Sequence, residues 1–202
     1  MELGLDRMKK ALVIIGNPCS SVPAVQIVGT NGKGSIASFI QSCLIDSCIS
    51  VGVTTSPHLI SWKERINING KDISENEFIK ILEKIILKTN HLKLTTFELV
   101  ILTALEFFET CNVKIIVLET GLGGRLDATT AHPLRPIIAM GGIGLDHCEY
   151  LGNTLAKITK EKAEVITPGS IVISAPQQIE VTKILEETVK RKNAKLKWVK
   201  PL

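Results

Sequence analysis

Apolar residues along this chain fall into two alternating kinds of segment. Short, nearly unbroken runs at residues 24–28, 51–55, 113–118, 136–142 and 171–174 have the length of strands buried on both faces. Between them, apolar positions recur every three or four residues, the spacing that lays one stripe along a helix. Ser74-Glu75-Asn76-Glu77 opens one such helix as a capping box, and Phe78, Ile81, Leu82, Ile85 and Ile86 carry its stripe. Thr95-Thr96-Phe97-Glu98 repeats the device ahead of Leu99, Leu102, Leu105 and Phe108. Core packing accounts for the apolar residues of both. A first helix ends with the run 11–15 at Gly16-Asn17-Pro18; further helices are expected at 34–46, 154–166 and 179–192, and a last strand at 196–199. Residues 56–70 show no clean period and read as a long ordered loop, a kind that tends to be functional in compact domains. The alternation predicts an α/β fold, a mostly parallel sheet flanked by helices.

One turn in this pattern carries chemistry. Residues 28–35 read VGTNGKGS, between an apolar strand and a helix. Glycines at 29, 32 and 34 permit backbone angles that a Cβ forbids. Successive N–H groups of Gly29, Thr30, Asn31, Gly32, Lys33, Gly34 and Ser35 can then face one anion at the positive end of the helix. Lys33 adds a full charge, and Ser35 a hydroxyl for phosphate oxygen or Mg²⁺. The spacing is shorter than in the common G-x-x-x-x-G-K-[ST] loop, and a glycine-rich turn with an incidental lysine is the competing reading. Strand–turn–helix context favours a phosphate cradle.

In open parallel sheets ligands gather at the carboxyl ends of strands, and polar residues collect there. Ser56-Pro57-His58 follows one strand, ETGLGGRLD from Glu119 another, and Asp146-His147 a third. A carboxylate, an imidazole and a hydroxyl beside a triphosphate suit Mg²⁺, which prefers oxygen ligands. A lone Glu at a strand end could equally be a cap or half of an ion pair. The three glycines between Glu119 and Arg125 suggest close backbone approach to a ligand.

Composition changes the picture in two places. At 202 residues and 45% hydrophobic content, the chain can bury the core of one large α/β domain, or of one domain with part of another. The net charge of +4 comes from residues 183–202, where seven Lys and Arg face two Glu; the rest is about neutral. With only 4% aromatic residues, a solvated basic face is expected, with no nucleic-acid partner. Five cysteines without a C-x-x-C pair point to reduced thiols in a cytoplasmic protein, not to a disulfide frame or zinc site. Lys9-Lys10 and the run 11–15 are too short for a signal peptide, and no stretch approaches the ~20 apolar residues of a membrane span. A soluble protein with no membrane partner is expected.

A set of motifs then follows in order: Ile14-Ile15-Gly16-Asn17-Pro18, GTNGKGS from Gly29, SPHL from Ser56, Glu64-Arg65-Ile66 with Asn69-Gly70, TTFE from Thr95, ETGLGGRLDAT from Glu119, LDH from Leu145, LGNT from Leu151 and EKAEVI from Glu161. Together they resemble the folylpolyglutamate synthase and dihydrofolate synthase family of the Mur ligase superfamily, from about Leu12 to Gly169. The combination of SPHL with GLGGRLDAT is specific to it. The resemblance implies a P-loop-type ATP-binding domain of the Mur ligase kind over residues 1–202. It also implies ATP-dependent amide formation, in which a pteroate or folate carboxylate becomes an acyl phosphate that the amino group of glutamate attacks.

Position by position, the resemblance implies that residues Gly29 to Ser35 hold ATP and that Ser56 and Glu119 bind a first Mg²⁺. His147 would bind a second, with Glu119 shared. Lys162 would react with CO₂ to become a carbamate, turning a cation that repels Mg²⁺ into an anion that binds it. Lys33, Arg125, His147 and Lys162 would be catalytic, with Lys33 and Arg125 gathering positive charge where a carboxylate meets a triphosphate. Thr96, Phe97 and Glu98 would form part of a pterin-binding surface. Two positions depart from the family pattern: Glu164 replaces a glycine and Thr130 an asparagine. The chain stops at Leu202, so the domain is expected to be incomplete at its carboxyl end, with a separately encoded second half as a candidate partner. A non-catalytic nucleotide-binding remnant and a cell-wall Mur ligase relative remain as alternatives. Dihydrofolate synthase and folylpolyglutamate synthase share these motifs and are not separated by them.

Overall fold

The computed structural model describes residues 4–200, in which the expected alternation builds one sheet. Its strands are β1 (Ala24–Val28), β2 (Val51–Thr54), β3 (Ile66–Ile68), β4 (Lys71–Asp72), β5 (Ile115–Glu119), β6 (Ile137–Met140), β7 (Ile171–Ser174) and β8 (Lys195–Trp198). They lie in the order β4-β3-β2-β5-β1-β6-β7-β8. Pairs from β2 to β8 are parallel, and β3 and β4 extend the other edge antiparallel. The helices are α1 (Asp6–Ile15), α2 (Lys33–Asp46), α3 (Glu75–Thr89), α4 (Thr96–Thr110), α5 (Cys148–Leu151), α6 (Leu155–Ala163) and α7 (Ile179–Arg191).

Strand periodicity decides which helix each side chain meets. Along β5, Ile116 and Leu118 join the core that α1, α3 and α4 cover, whereas Val117 turns to the opposite face with Ile27 and the α2 side chains. A third cluster packs Ile138 and Val172 against Ile158 of α6 and Leu185 of α7. Both faces of the central strands are therefore covered, which explains their unbroken apolar runs. Each such Ile or Leu contributes about 1.5–3 kcal/mol through burial.

Thr95 and Glu98 form the reciprocal cap of α4. At α3 only half of the box forms: Ser74 Oγ accepts from Glu77 N–H, but the Glu77 carboxylate takes the Ser74 hydroxyl. The segment 56–70 is not wholly loop. A 3-10 turn at Trp62–Arg65 leads into β3, and Asn69 and Gly70, with φ of 52° and 78°, make a two-residue hairpin into β4. Helix α6 stops at Ala163, three residues early, ahead of Thr167-Pro168, where proline disfavours helix in the residue before it. The five cysteines are free. Among the described residues no helix is long and apolar enough to cross a membrane.

Candidate active site

The turn between β1 and α2 is held by its neighbour rather than by its own side chains. Gly32 precedes α2 with φ 78°, and no side chain caps the helix, so its first-turn N–H groups have no intrahelical partner. Thr30 and Asn31 do not present theirs to an anion, as the sequence suggested. Both donate to Gly142 O, at 2.8 and 3.3 Å, and the Thr30 hydroxyl exchanges bonds with Gly144. The cradle is thus confined to the start of α2, and Thr30 and Asn31 strap it to the segment after β6. The strap needs glycine: a Cβ on Gly29 would lie 3.1 Å from Gly141 Cα, and one on Gly141 would lie 2.6 Å from Asn31 O. Lys33 Nζ sits 3.4 Å from Thr30 O.

Glu119 ends β5 and is only 4% exposed. Burial pushes its carboxyl above the usual range, against the opposing pull of the Ser56 N–H and the Lys33 charge. Its Oε2 accepts from Ser56 N at 3.3 Å and would lie 3.8 Å from a Cβ on Gly34. Ser56, Glu119 and the first turn of α2 therefore meet, as expected.

Lys162, on α6, is also 4% exposed, and its Nζ donates to Gly29 O at 3.1 Å. It lies beneath the phosphate loop rather than in solvent. Burial, reinforced by Lys33, pulls its pKa down to about 8, with Asp146 and Asp127 opposing. His147 precedes α5 with φ 48°. Its N–H donates to Asp146 Oδ1 at 2.9 Å, and its Nε2 is 3.6 Å from Asp146 Oδ2. Asp146 thus bonds to His147 and lies within the electrostatic reach of Lys162. Among the described residues no three His, Cys, Asp or Glu side chains gather into a ready-made metal cage.

The glycines after Glu119 have a different cause from the one the sequence suggested. What approaches their backbone is the protein itself. A Cβ on Gly121 would meet the Phe97 ring at 2.8 Å, and one on Gly124 would meet Glu161 O at 3.0 Å and Lys162 Cα at 3.1 Å. Asp127 organises the turn. Its Oδ2 accepts from the Gly121 and Leu122 N–H groups, both at 2.9 Å, and its Oδ1 from the Thr129 N–H and hydroxyl. Arg125 finds its partner on α6. Its guanidinium pairs with Glu161 at 3.1 Å, half exposed, while its N–H donates to Glu161 O, so it clamps the turn to α6.

Both departures from the family pattern are accommodated. The Thr130 hydroxyl donates to Gly124 O at 2.7 Å and accepts from Gln26. Glu164 pairs with Arg191 at 2.5 Å and Lys192 at 2.8 Å, which directs its charge to the end of α7.

A cavity of about 710 Å³ opens beside Lys33. Ser56, Pro57 and Arg65 form one wall; Thr95, Phe97 and Glu98 form another, at the start of α4. The turn from Gly121 to Asp127 and the pair Asp146-His147 complete it, with Tyr150 and Arg7 at its margin. Phe97 and Glu98 line it; Thr96 does not. The Glu98 carboxylate accepts from Thr95 N–H at 2.7 Å and from Arg7 Nε at 2.9 Å. Asp146 was placed at a strand end from the sequence but given no role, and Arg7, Arg65 and Asp127 were assigned none either. Three of the four lie inside quoted motifs, but Arg7 precedes every motif and carries no signal.

No protein-family model matches the chain. Dihydrofolate synthetase of Saccharomyces cerevisiae is 38% identical over 202 residues, covering 97% of this chain and 47% of the yeast protein. E. coli FolC, solved in complex with DHPP and ADP, superposes with a TM-score of 0.92 at 30% identity, over 98% of this chain and 47% of that one. A bifunctional folylpolyglutamate synthase/dihydrofolate synthase from Yersinia pestis, complexed with AMPPNP and Mn ion, gives 0.89 at 31% identity over 98% and 48%. Fold and site together define a P-loop-type α/β domain of the Mur ligase kind. The chain spans about half the length of these relatives. Over that span its relatives and structural neighbours are dihydrofolate synthases and folylpolyglutamate synthases.

Proposed function

We propose that these residues carry the ATP and acceptor sites of a cytoplasmic ligase that joins glutamate to a pteroate or folate carboxylate. The observation behind this reading is that Lys33 belongs at once to the phosphate loop and to the wall of the large cavity. An acceptor held in that cavity can present its carboxylate to a γ-phosphate held at the start of α2. A carboxylate oxygen attacks phosphorus and ADP leaves. The glutamate amine then attacks the acyl carbon, loses a proton and releases phosphate. Two anions must meet in the first step, and Lys33 with the unpaired N–H groups of α2 offsets their repulsion.

The oxygen donors suit magnesium. Glu119 is a buried carboxylate facing the loop beside Ser56. These two would hold one ion, which when bound supplies further charge neutralisation. A second ion would take His147 and Lys162, the latter as a carbamate. Lys162, with its pKa near 8, keeps an appreciable fraction of free amine to attack CO₂. Because the matched relatives are about twice as long, the assay is run with and without a polypeptide supplying their remaining length. Dihydropteroate and tetrahydrofolate are offered in parallel with ATP, Mg²⁺ and labelled glutamate. ATP-dependent incorporation into at least one acceptor is expected; none with the complementing polypeptide present overturns the reading.

A further inference from the structure

Three Lys or Arg side chains line the cavity: Arg7, Lys33 and Arg65. Lys33 belongs to the phosphate loop, and Arg7 gives its Nε to Glu98. Arg65 has no carboxylate within ion-pair distance among the described residues. Its Nε donates to the imidazole nitrogen His58 Nδ1 at 2.9 Å, and among the described residues the two terminal amino groups of the guanidinium make no hydrogen bond. The group lies over the Trp62 ring at 4.3 Å, and Trp62 packs against His58 with ring centroids 4.6 Å apart. The segment itself is fixed, because the Glu64 carboxylate accepts the N–H groups of Leu59, Ile60 and Ser61. Burial alone lowers the Arg65 pKa from its ordinary value, as expected for a cation with no anion beside it.

A guanidinium held in place by stacking and by one ring nitrogen, with its fork open to a cavity, is built for a planar anion. We propose that Arg65 receives the carboxylate of the acceptor and sets it toward the phosphate loop, an inference that rests on the ligase reading above. On the acceptor side of the cavity such a partner complements Lys33 and the start of α2, which face the triphosphate.

The test is calorimetry on the whole chain with Mg²⁺ and AMPPNP, titrating dihydropteroate and, separately, its primary carboxamide. Arg65→Ala should weaken dihydropteroate binding about 10- to 100-fold, as for loss of a charge-assisted hydrogen bond, and change carboxamide binding by less than about twofold. Arg65→Lys should recover only part of the loss, since an ammonium cannot reproduce the fork. Equal losses for both ligands, or no loss for either, would overturn the role of Arg65 while leaving the ligase reading intact. Failure of the parent chain to bind either pteridine would overturn both.

Discussion

Replacing Lys33 by alanine removes a charge without removing a strut. The only hydrogen bond its side chain makes among the described residues is the 3.4 Å contact from Nζ to Thr30 O, whereas the loop is strapped by Thr30, Asn31, Gly29 and Gly141. Melting temperature should therefore barely move. Nucleotide affinity should fall by ~1.5–3 kcal/mol, the cost of one charge-assisted hydrogen bond, or about 10- to 150-fold in Kd. The same substitution has a second readout. Lys33 depresses the Lys162 pKa and lowers that of Glu119, so its loss should raise both. Calorimetry with MgATP measures the affinity, and a pH titration of Lys162 reactivity toward an amine reagent measures the shift. Unchanged ATP binding would refute the phosphate-loop assignment, and an unmoved Lys162 would refute its placement beside Lys33.

Lys162 also predicts a pH dependence of stability. Its folded pKa, about 8, lies below the ordinary 10.5. As pH rises between those values the folded state loses the proton first, the unfolded state binds more protons, and stability climbs. Urea midpoints in bicarbonate-free buffer should show this rise in the parent chain and its absence in Lys162→Met; parallel curves would contradict it. Gly124→Ala should cost about 1–3 kcal/mol, because the new Cβ meets the backbone of α6 at 3.0–3.1 Å. Gly142→Ala, with nothing within 4 Å, should be near neutral; equal stabilities for the two variants would sink the packing account of that turn.

Strand–helix alternation was legible because β5, β1 and β6 are buried on both faces, so their runs are unbroken. The hairpin of β3 and β4 was missed although Asn69-Gly70 is a strong two-residue turn signal. Ile66–Ile68 is three residues long with a polar centre, too short for a period to register. Ser56, Glu119 and Lys33 could be placed together because strand ends share a rim in a parallel sheet. Motif reading could not tell a glycine that admits a ligand from one that admits a helix, as at Gly124. Nor could it foresee that Arg125 would be spent on Glu161, because that pairing joins a turn to α6 across 36 residues.

The central claim is that the acceptor carboxylate is phosphorylated where the loop meets the cavity. It is tested most directly by labelling that carboxylate with heavy oxygen and analysing the phosphate released as amide forms. Passage through an acyl phosphate transfers one carboxylate oxygen to phosphate for each amide made. Labelled phosphate in that ratio is the predicted result; amide formation with unlabelled phosphate would contradict the account.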